Sequence, residues 1–403
     1  MAQLFVPPVS EAWLARVSAV SRAQLGLDHL SGARLAQAVT AVSHTYTRER
    51  GALSELQGEA DALSARLQFF LPRDLLKVHG PLSELHSVGA LPTARRWRVL
   101  DLGAGLGSTS LGVARFAALR GSAESLEITA LDIDSEALEL FTALSSDVSA
   151  LPGVPVQLVT REVNLERLDP RSLRGPFELV TMGLALNELA SAAEPEQRIE
   201  QLLARLVSYS QLLTEDGCLI VLEPALRETS RVLHALRDRL VARAAPPYVF
   251  APCVGAATCP MLLRERDFCH ERLPCELPDT QADIASAAGL RERDLTYSYL
   301  SLTHAPRSLR ELTQRGEPYR VVSGQLRSKG KREVWLCGPS GAPRAQRLDR
   351  HASDDNAAFE AAERGSVLAL ERAQPGPPAA LLRVGKEDRV QLDQHWNAAR
   401  REV

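Results

Sequence analysis

Cysteines are the residues of this sequence whose type and spacing most directly suggest chemistry. The chain has six of them, and four fall within a stretch of 23 residues: Cys253, Cys259, Cys269 and Cys275. Cys337 follows further along, and Cys218 lies in an apolar run that reads as a buried strand. Thiolates are preferred ligands of zinc and of iron–sulfur clusters. In a chain predicted to be cytoplasmic, such clustering favours a metal centre over disulfide bonds.

The spacing of these cysteines helps to separate the two kinds of metal centre. Five residues separate Cys253 from Cys259, nine separate Cys259 from Cys269, and 67 separate Cys269 from Cys337. Structural zinc sites usually contain pairs of cysteines about two to four residues apart, and this sequence has no such pair. A 4Fe-4S cluster offers each thiolate a different iron, so the wide spacing favours it, with zinc as the alternative. Three residues compete as the fourth ligand: Cys337, Cys275 and His270.

A glycine-rich turn is the second feature with a chemical meaning. The run VLDLGAGLGS places Asp101 at the end of a predicted strand, just before a helix that begins near Ser108. The turn between them contains three glycines: Gly103, Gly105 and Gly107. Glycines let the backbone approach a ligand closely, and the N–H groups at the start of the helix are available to bind it. Asp132 ends the next predicted strand, where a carboxylate can bind both hydroxyls of a ribose.

The spacing G-x-G-x-G after an acidic residue resembles the first motif of the S-adenosylmethionine methyltransferases. This resemblance implies that Asp101 lies near the amino group of the cofactor and that Asp132 binds its ribose. A tight turn without a ligand and an NAD site are the alternatives. Asn187 and Glu188, at the end of the fourth predicted strand, are expected to face the same crevice or to cap a helix. Neither an NPPY or DPPY run nor a Pro-Cys nucleophile follows that strand, so cofactor binding is better supported than methyl transfer.

Positioning these residues requires alternating strands and helices. Apolar runs predict five strands, at 98–103, 127–134, 155–160, 177–183 and 218–224. Amphipathic segments lie between them, as is typical of a parallel sheet with helices on both faces. Two later runs, 295–304 and 332–338, are predicted as the last strands of the same sheet. The predicted fold is therefore α/β with a seven-stranded sheet, and the resemblance of the glycine turn implies a Rossmann-like sheet of the S-adenosylmethionine methyltransferase type.

The texture of the sequence divides the chain into three predicted domains. Residues 1–92 have helical periodicity and are predicted to form a helical N-terminal domain. Residues 93–340 are predicted to form the methyltransferase-like domain, interrupted at 246–278 by a cysteine-rich insertion. Residues 341–403 contain short apolar runs separated by Pro and Gly, and they are predicted to form a small β extension.

Composition excludes several classes of protein. The chain has 403 residues, a net charge of −3 and 45% hydrophobic residues, which is incompatible with a disordered protein. No apolar run approaches the ~20 residues that span a bilayer. The first residues lack the basic start and apolar core of a signal peptide. The sequence therefore predicts a cytoplasmic bacterial protein that makes no membrane contact.

Several segments together resemble one known family, the methyltransferase-like proteins of mitochondrial small-ribosomal-subunit assembly and their bacterial relatives. The resemblance extends over most of the chain, from VSHTYTRER through VLDLGAGLGS and LALNEL to APCVGAATCPMLLRERDFCH and RVVSGQLRSKGKREVWLCGPSG. It implies a 4Fe-4S cluster held by four cysteines: Cys253, Cys259, Cys269 and Cys337. The chain has VG after Cys253 where the family usually has Pro-His, and Phe268 where it often has Trp. Neither departure removes a thiolate.

A basic segment agrees with the partner that this resemblance implies, the small ribosomal subunit and its RNA. Residues 305–350 contain eleven Lys or Arg and four Asp or Glu, a local net charge of +7. Basic surfaces bind phosphates by releasing counterions. The predicted function is that of an RNA-binding factor in small-subunit assembly or translation, which binds S-adenosylmethionine and contains a 4Fe-4S cluster. The alternative is an active methyltransferase that modifies ribosomal RNA or a ribosomal protein.

Overall fold

The computed structural model describes residues 2–4, 6–26, 32–48, 59–145, 153–255, 258–290, 294–376 and 380–396. Residues 1, 5, 27–31 and 49–58 of the predicted helical domain lie outside these ranges. Within them, no helix is long and apolar enough to cross a membrane. The chain begins with a short strand, β1 (Ala2–Leu4).

Helices follow β1, as the periodicity of this region predicts. Their bounds are α1 (Glu11–Leu25), α2 (Gly32–Arg48), α3 (Ala60–Ala65), α4 (Leu71–Asp74) and α5 (His79–Ser87). A single turn of π-helix, Arg66–Phe70, joins α3 to α4 and is called the π-turn. The Ser10 side chain caps α1 by accepting a hydrogen bond from the N–H of Trp13. Trp13 itself is buried, so this cap fixes the point at which α1 enters the core.

A mixed sheet forms the centre of the fold. Its strands are β2 (Arg96–Leu102), β3 (Ser125–Asp132), β4 (Val156–Glu162), β5 (Phe177–Gly183), β6 (Leu213–Pro224), β7 (Tyr248–Ala251), β8 (Glu271–Pro274) and β9 (Asp294–Thr303). The strand order is β4-β3-β2-β5-β6-β9-β7, and β8 also pairs with β9. Strands β2 to β6 are parallel to one another, whereas β9 is antiparallel to its neighbours. The predicted α/β, Rossmann-like fold is confirmed.

Helices cover both faces of this central sheet. They are α6 (Ser108–Arg120), α7 (Ser135–Ser145), α8 (Pro195–Ser210) and α9 (Arg227–Arg243), and α10 (Asp279–Ala287) follows β8. On one face, α6 and α7 share a hydrophobic core with the N-terminal helices. On the other face, α8 and α9 pack in a separate core. The N-terminal helices are thereby held beside the carboxyl ends of the parallel strands.

The C-terminal part forms a second sheet. Its strands, besides β1, are β10 (Glu317–Val321), β11 (Leu326–Ser328), β12 (Lys331–Cys337), β13 (Arg344–Leu348), β14 (Val367–Glu371), β15 (Gln374–Gly376), β16 (Leu381–Val384) and β17 (Arg389–Trp396). The order is β1-β17-β14-β10-β12-β13-β16-β15, and β11 also pairs with β12. The strand predicted at 332–338 therefore lies here and not in the central sheet, because β10 and β13 pair with it on its two sides. The predicted domain boundary at residue 340 falls inside this second sheet.

A buried charge cluster joins the two sheets and the N-terminal helices. Arg320 of β10 pairs with Glu84 of α5, at 2.6 Å between Nη1 and Oε1, and with Glu271 of β8, at 3.0 Å between Nη2 and Oε2. Tyr299 and Gln394 both donate hydrogen bonds to Glu84. All five side chains are buried. Because an unpaired buried charge is costly, the cluster holds the second sheet against β8, which lies within the cysteine-rich insertion.

Candidate functional site

A cavity of about 720 Å³ lies at the carboxyl ends of β2, β3 and β5, where the strand order reverses. Small-molecule sites have volumes of about 300–1,000 Å³, so this cavity can hold a nucleotide-sized ligand. It is lined by five of the predicted cofactor-binding residues: Gly103, Gly105, Asp132, Asn187 and Glu188. Its facing wall comes from α2, the π-turn and α4, including Tyr46, Arg66, Phe70 and Asp74.

The glycine turn forms one wall of this cavity. Gly103, Gly105 and Gly107 have φ angles of 74°, 50° and 79°, in the left-handed region that favours glycine. The Oδ2 of Asp132 accepts a hydrogen bond from the N–H of Gly105 at 2.7 Å, and its Oδ1 accepts one from the N–H of Asp134 at 2.9 Å. Each carboxylate oxygen has two lone pairs, so Asp132 can fix the turn and still accept hydrogen bonds from a ligand.

Arg66 is a cavity residue that the sequence analysis missed. It lies in the π-turn, and its Nη1 is 2.8 Å from the Oδ2 of Asp134. Asp134 also accepts a hydrogen bond from the N–H of Ala137 at 3.0 Å, which caps α7. This ion pair connects the N-terminal helices to the ribose side of the predicted cofactor site. No local pattern marks Arg66, although π-turns occur frequently at functional sites.

Asp101 lies behind the glycine turn and not in the cavity wall. Its side chain is completely buried, and it accepts hydrogen bonds from Ser110 Oγ at 2.6 Å and from Thr181 Oγ1 at 2.9 Å. Burial raises the pKa of Asp101 to about 6, although the two hydroxyl hydrogen bonds act in the opposite direction. Asp101 therefore ties β2 to α6 and β5, and its contact with the cofactor's amino group stays a prediction.

An Asp101→Asn variant is expected to gain stability relative to the wild type as the pH rises from about 4 to about 7. The folded-state pKa of about 6 exceeds the unfolded value of about 3.9, so the folded state binds this proton more tightly. The free energy of unfolding of the wild type therefore falls by up to about 3 kcal/mol over this interval, whereas that of the variant does not. Denaturant unfolding of both proteins at several pH values measures the difference. A difference that does not change with pH would contradict the burial of an ionising Asp101.

Asn187 and Glu188 lie in a 3₁₀ turn, Leu186–Glu188, directly after β5. The N–H of Asn187 donates a hydrogen bond to Glu223 Oε1 at 3.1 Å, and its side-chain Nδ2 donates to the carbonyl oxygen of Leu184 at 2.8 Å. Leu184 has a φ of 63°, so the chain turns sharply here. Both predicted residues line the cavity, and the Asn187 side chain also stabilises the turn that presents them.

A second cavity, of about 40 Å³, brings together the four predicted metal ligands: Cys253, Cys259, Cys269 and Cys337. Three of them follow β7, whereas Cys337 ends β12, opposite Arg320 of β10 in the sheet register. His270 also lines this thiol cavity. Cys218 and Cys275 instead belong to the large hydrophobic core that α6 and α7 share with the N-terminal helices. The fold therefore joins cysteines that are distant in the sequence and separates two others from them.

Burial controls the protonation of the four cavity thiols. It raises the pKa of Cys259 to about 12, and it also raises those of Cys253, Cys269 and Cys337. A bound cation would be required to deprotonate them near neutral pH. In the part of the chain that the structure describes, no group of three or more His, Cys, Asp or Glu is arranged to hold a metal ion. The metal centre therefore stays a prediction.

Comparison of the sequence with protein families decides the family. The profile described as mitochondrial small ribosomal subunit Rsm22 matches residues 89–364, which include the glycine turn and all four cavity cysteines. The chain belongs to this family. The match confirms the resemblance drawn from the sequence motifs. No curated protein matches the chain.

Three solved structures named as methyltransferases or as TrmK are similar to this Rsm22 family member at low sequence identity. A candidate RNA methyltransferase from Pyrococcus horikoshii is 13% identical, with 59% of this chain and 87% of that chain covered and a TM-score of 0.32. A candidate class I S-adenosylmethionine-dependent methyltransferase from Listeria monocytogenes is 10% identical, with 73% and 89% covered and a TM-score of 0.35. TrmK from M. capricolum, bound to S-adenosylhomocysteine, is 11% identical, with 56% and 69% covered and a TM-score of 0.29. The fold assignment rests on the strand order and not on these similarities.

The basic segment of this Rsm22 family member is less open than its charge suggests. Arg320 and Arg347 are buried, and Lys331 pairs with Glu333 at 2.9 Å. Arg327 and Lys329 are exposed on the hairpin between β11 and β12. The cations of the segment are therefore divided between the protein interior and exposed positions, which include Arg327 and Lys329 of the hairpin.

Proposed function

We propose that this protein binds S-adenosylmethionine and acts on the small ribosomal subunit, in its assembly or in translation. The observation that carries the proposal is the 720 Å³ cavity, in which the glycine turn and the Asp132 carboxylate lie side by side. The Asp132 carboxylate would accept hydrogen bonds from the ribose hydroxyls. The turn of Gly103 and Gly105 leaves room for the backbone to approach the ligand. Membership of the Rsm22 family supports the ribosomal part of the proposal.

A second part of the proposal concerns the thiol cavity, where four cysteines would hold a 4Fe-4S cluster: Cys253, Cys259, Cys269 and Cys337. Its support is the donor set, because four thiols around one cavity match the ligation of such clusters. Zinc is the alternative occupant of the same four thiols. When bound, the cluster supplies a covalent link between the cysteine-rich insertion and the second sheet. This role is structural.

The exposed β11–β12 hairpin is the proposed contact with ribosomal RNA. Replacing both Arg327 and Lys329 with alanine is expected to weaken binding to small-subunit RNA. It is also expected to reduce, by roughly 2, the steepness of the fall of log K with the logarithm of the salt concentration. Filter binding at several salt concentrations measures both quantities. A substitution of Arg347 cannot test this contact, because Arg347 is buried and its loss would disturb the core. An unchanged slope would place the RNA contact on another surface.

Titration of labelled cofactor into the anaerobically purified full chain tests the proposal as a whole. With and without small-subunit RNA, the protein is expected to bind one equivalent of S-adenosylmethionine, and the RNA is expected to bind saturably. Iron and sulfide analysis of the same sample tests the cluster, and one zinc per chain in place of iron would refute it. Absence of saturable cofactor binding in both titrations would refute the assignment of the large cavity.

A working methyltransferase is the alternative, and the size of the cavity favours it. Beyond the predicted cofactor ligands, the cavity extends to Lys77, Leu290, Asp294 and Thr296, where an acceptor would lie. Methyl transfer from S-adenosylmethionine needs mainly correct positioning, so the lack of a recognisable base does not exclude it. Transfer of labelled methyl to ribosomal RNA or a ribosomal protein in the titrated samples would establish this function. The cytoplasmic location stays a prediction.

A further inference from the structure

One face of helix α9 runs along the cysteine-rich insertion. Arg231, His234 and Asp238 follow one another at intervals of three and four residues, so they share that face. Each of them forms hydrogen bonds to backbone atoms of the insertion. These bonds use N–H groups and carbonyl oxygens, and they leave the sulfur atoms available.

Two of these contacts are made at the cysteines themselves. The Nε2 of His234 accepts a hydrogen bond from the N–H of Cys269 at 3.0 Å. The N–H of Cys259 donates to Asp238, and both carboxylate oxygens lie 2.9 Å from the nitrogen. A ring nitrogen of histidine accepts a hydrogen bond when it carries no proton, which is the role of Nε2 in this contact.

The third contact holds the chain between these cysteines. The Nη1 of Arg231 lies 2.9 Å from three carbonyl oxygens, those of Met261, Arg264 and Asp267. This stretch contains only a short 3₁₀ turn, so its backbone groups need partners from elsewhere. Arg231 supplies these partners from α9, a helix that is anchored in the core on one face of the central sheet.

A fourth residue of α9 orients Asp238. The Nη1 of Arg237 lies 2.7 Å from Asp238 Oδ1, and the Arg237 side chain is only 4% exposed. The same guanidinium lies beside the Cys253 thiol. Arg237 therefore connects the carboxylate that holds Cys259 with the thiol of a third cavity cysteine.

We propose that His234 and Asp238 are positioning residues that set the backbone at Cys269 and Cys259 before a metal binds. This inference rests on the proposed cluster, since it names the residues that prepare the cluster's ligands. Many small metal domains fold only when the metal binds. Here α9 makes its contacts with protein atoms alone, so these contacts do not depend on a bound metal. Less of the chain has to be ordered during loading, which favours uptake.

Hydrogen exchange in the metal-free full chain tests the role of His234. In the wild type, the Cys269 amide is expected to be protected. In His234→Leu it is expected to exchange about tenfold faster, because one hydrogen bond is lost. His234→Gln offers a side-chain oxygen as acceptor and is expected to restore most of the protection. Asp238→Ala makes the same test at the Cys259 amide, in case the leucine variant does not fold.

Anaerobic reconstitution of the same variants with iron and sulfide gives a second readout. His234→Leu is expected to load more slowly than the wild type, and His234→Gln is expected to load nearly as fast. Wild-type-like exchange and loading in His234→Leu would overturn the positioning role. A wild type that takes up no iron, but shows the expected exchange differences, would overturn the cluster and leave the ordering by α9 in place.

Discussion

Cys337→Ser is expected to reduce the iron content of the anaerobically prepared protein from about four atoms per chain to near zero. Cys337 is the one cysteine among those lining the thiol cavity that comes from the second sheet. A serine hydroxyl is a poor ligand for iron–sulfur clusters, which prefer soft thiolates. Iron and sulfide analysis and the visible absorption spectrum measure the loss.

Cys275→Ser is the matched control for this experiment. Cys275 is buried, and burial raises its pKa to about 12, as it does for Cys259. However, Cys275 belongs to the large core, beside Arg73, and not to the lining of the thiol cavity. The control is expected to keep its iron. Retention of iron in Cys337→Ser together with loss in Cys275→Ser would assign the fourth ligand to Cys275.

The central sheet was predictable because most of its parallel strands coincide with short apolar runs in the sequence. The run FELVTMG at 177–183 coincides with β5, and EITALDID at 127–134 overlaps β3 (Ser125–Asp132). Strand β6 was harder, since it begins at Leu213, five residues before the predicted start at Cys218. Its first part contains Glu215 and Asp216 and lacks an apolar pattern, but Leu213 still pairs with Phe177 of β5. Sheet pairing here extends a strand beyond its apolar run.

Features that depend on distant pairing could not be predicted. The run 332–338 has the same apolar texture as the central strands, and only its partners β10 and β13 place it in the second sheet. Strand β1 pairs in parallel with β17, at the opposite end of the chain. Arg320 counts as a cation in the sequence, yet its charge is paired with Glu84 and Glu271 in the protein interior. Charge counts therefore overstate a binding surface when some of the cations are buried.

The candidate sites show the same division. The cysteine spacing and the glycine turn are local signals, and the structure places Cys253, Cys259, Cys269 and Cys337 around one cavity. Arg66 and His234, which complete the two sites, lie on other elements and have no motif of their own. Residues that hold a site in place act through backbone and ion-pair contacts, which many residue types can make. For this reason sequence patterns reveal ligands more readily than the residues that position them.

Asp132→Ala is expected to weaken S-adenosylmethionine binding by about 100-fold. Hydrogen bonds to a charged group contribute about 1.5–3 kcal/mol each, and the proposed ribose contact would be lost together with the bond that fixes Gly105. The latter bond is 2.7 Å long and belongs to the glycine turn, so the cavity wall is loosened as well. Equilibrium dialysis with labelled cofactor measures the affinity, and thermal unfolding checks that the variant remains folded.

Glu136→Ala provides the control for charge, since Glu136 is exposed in the first turn of α7, four residues after Asp132. It removes the same charge from the same region but contributes nothing to the cavity lining. Its affinity for the cofactor is expected to stay within about twofold of the wild type. A similar loss in both variants would assign the effect to long-range electrostatics. Near-normal binding by Asp132→Ala would exclude the ribose role.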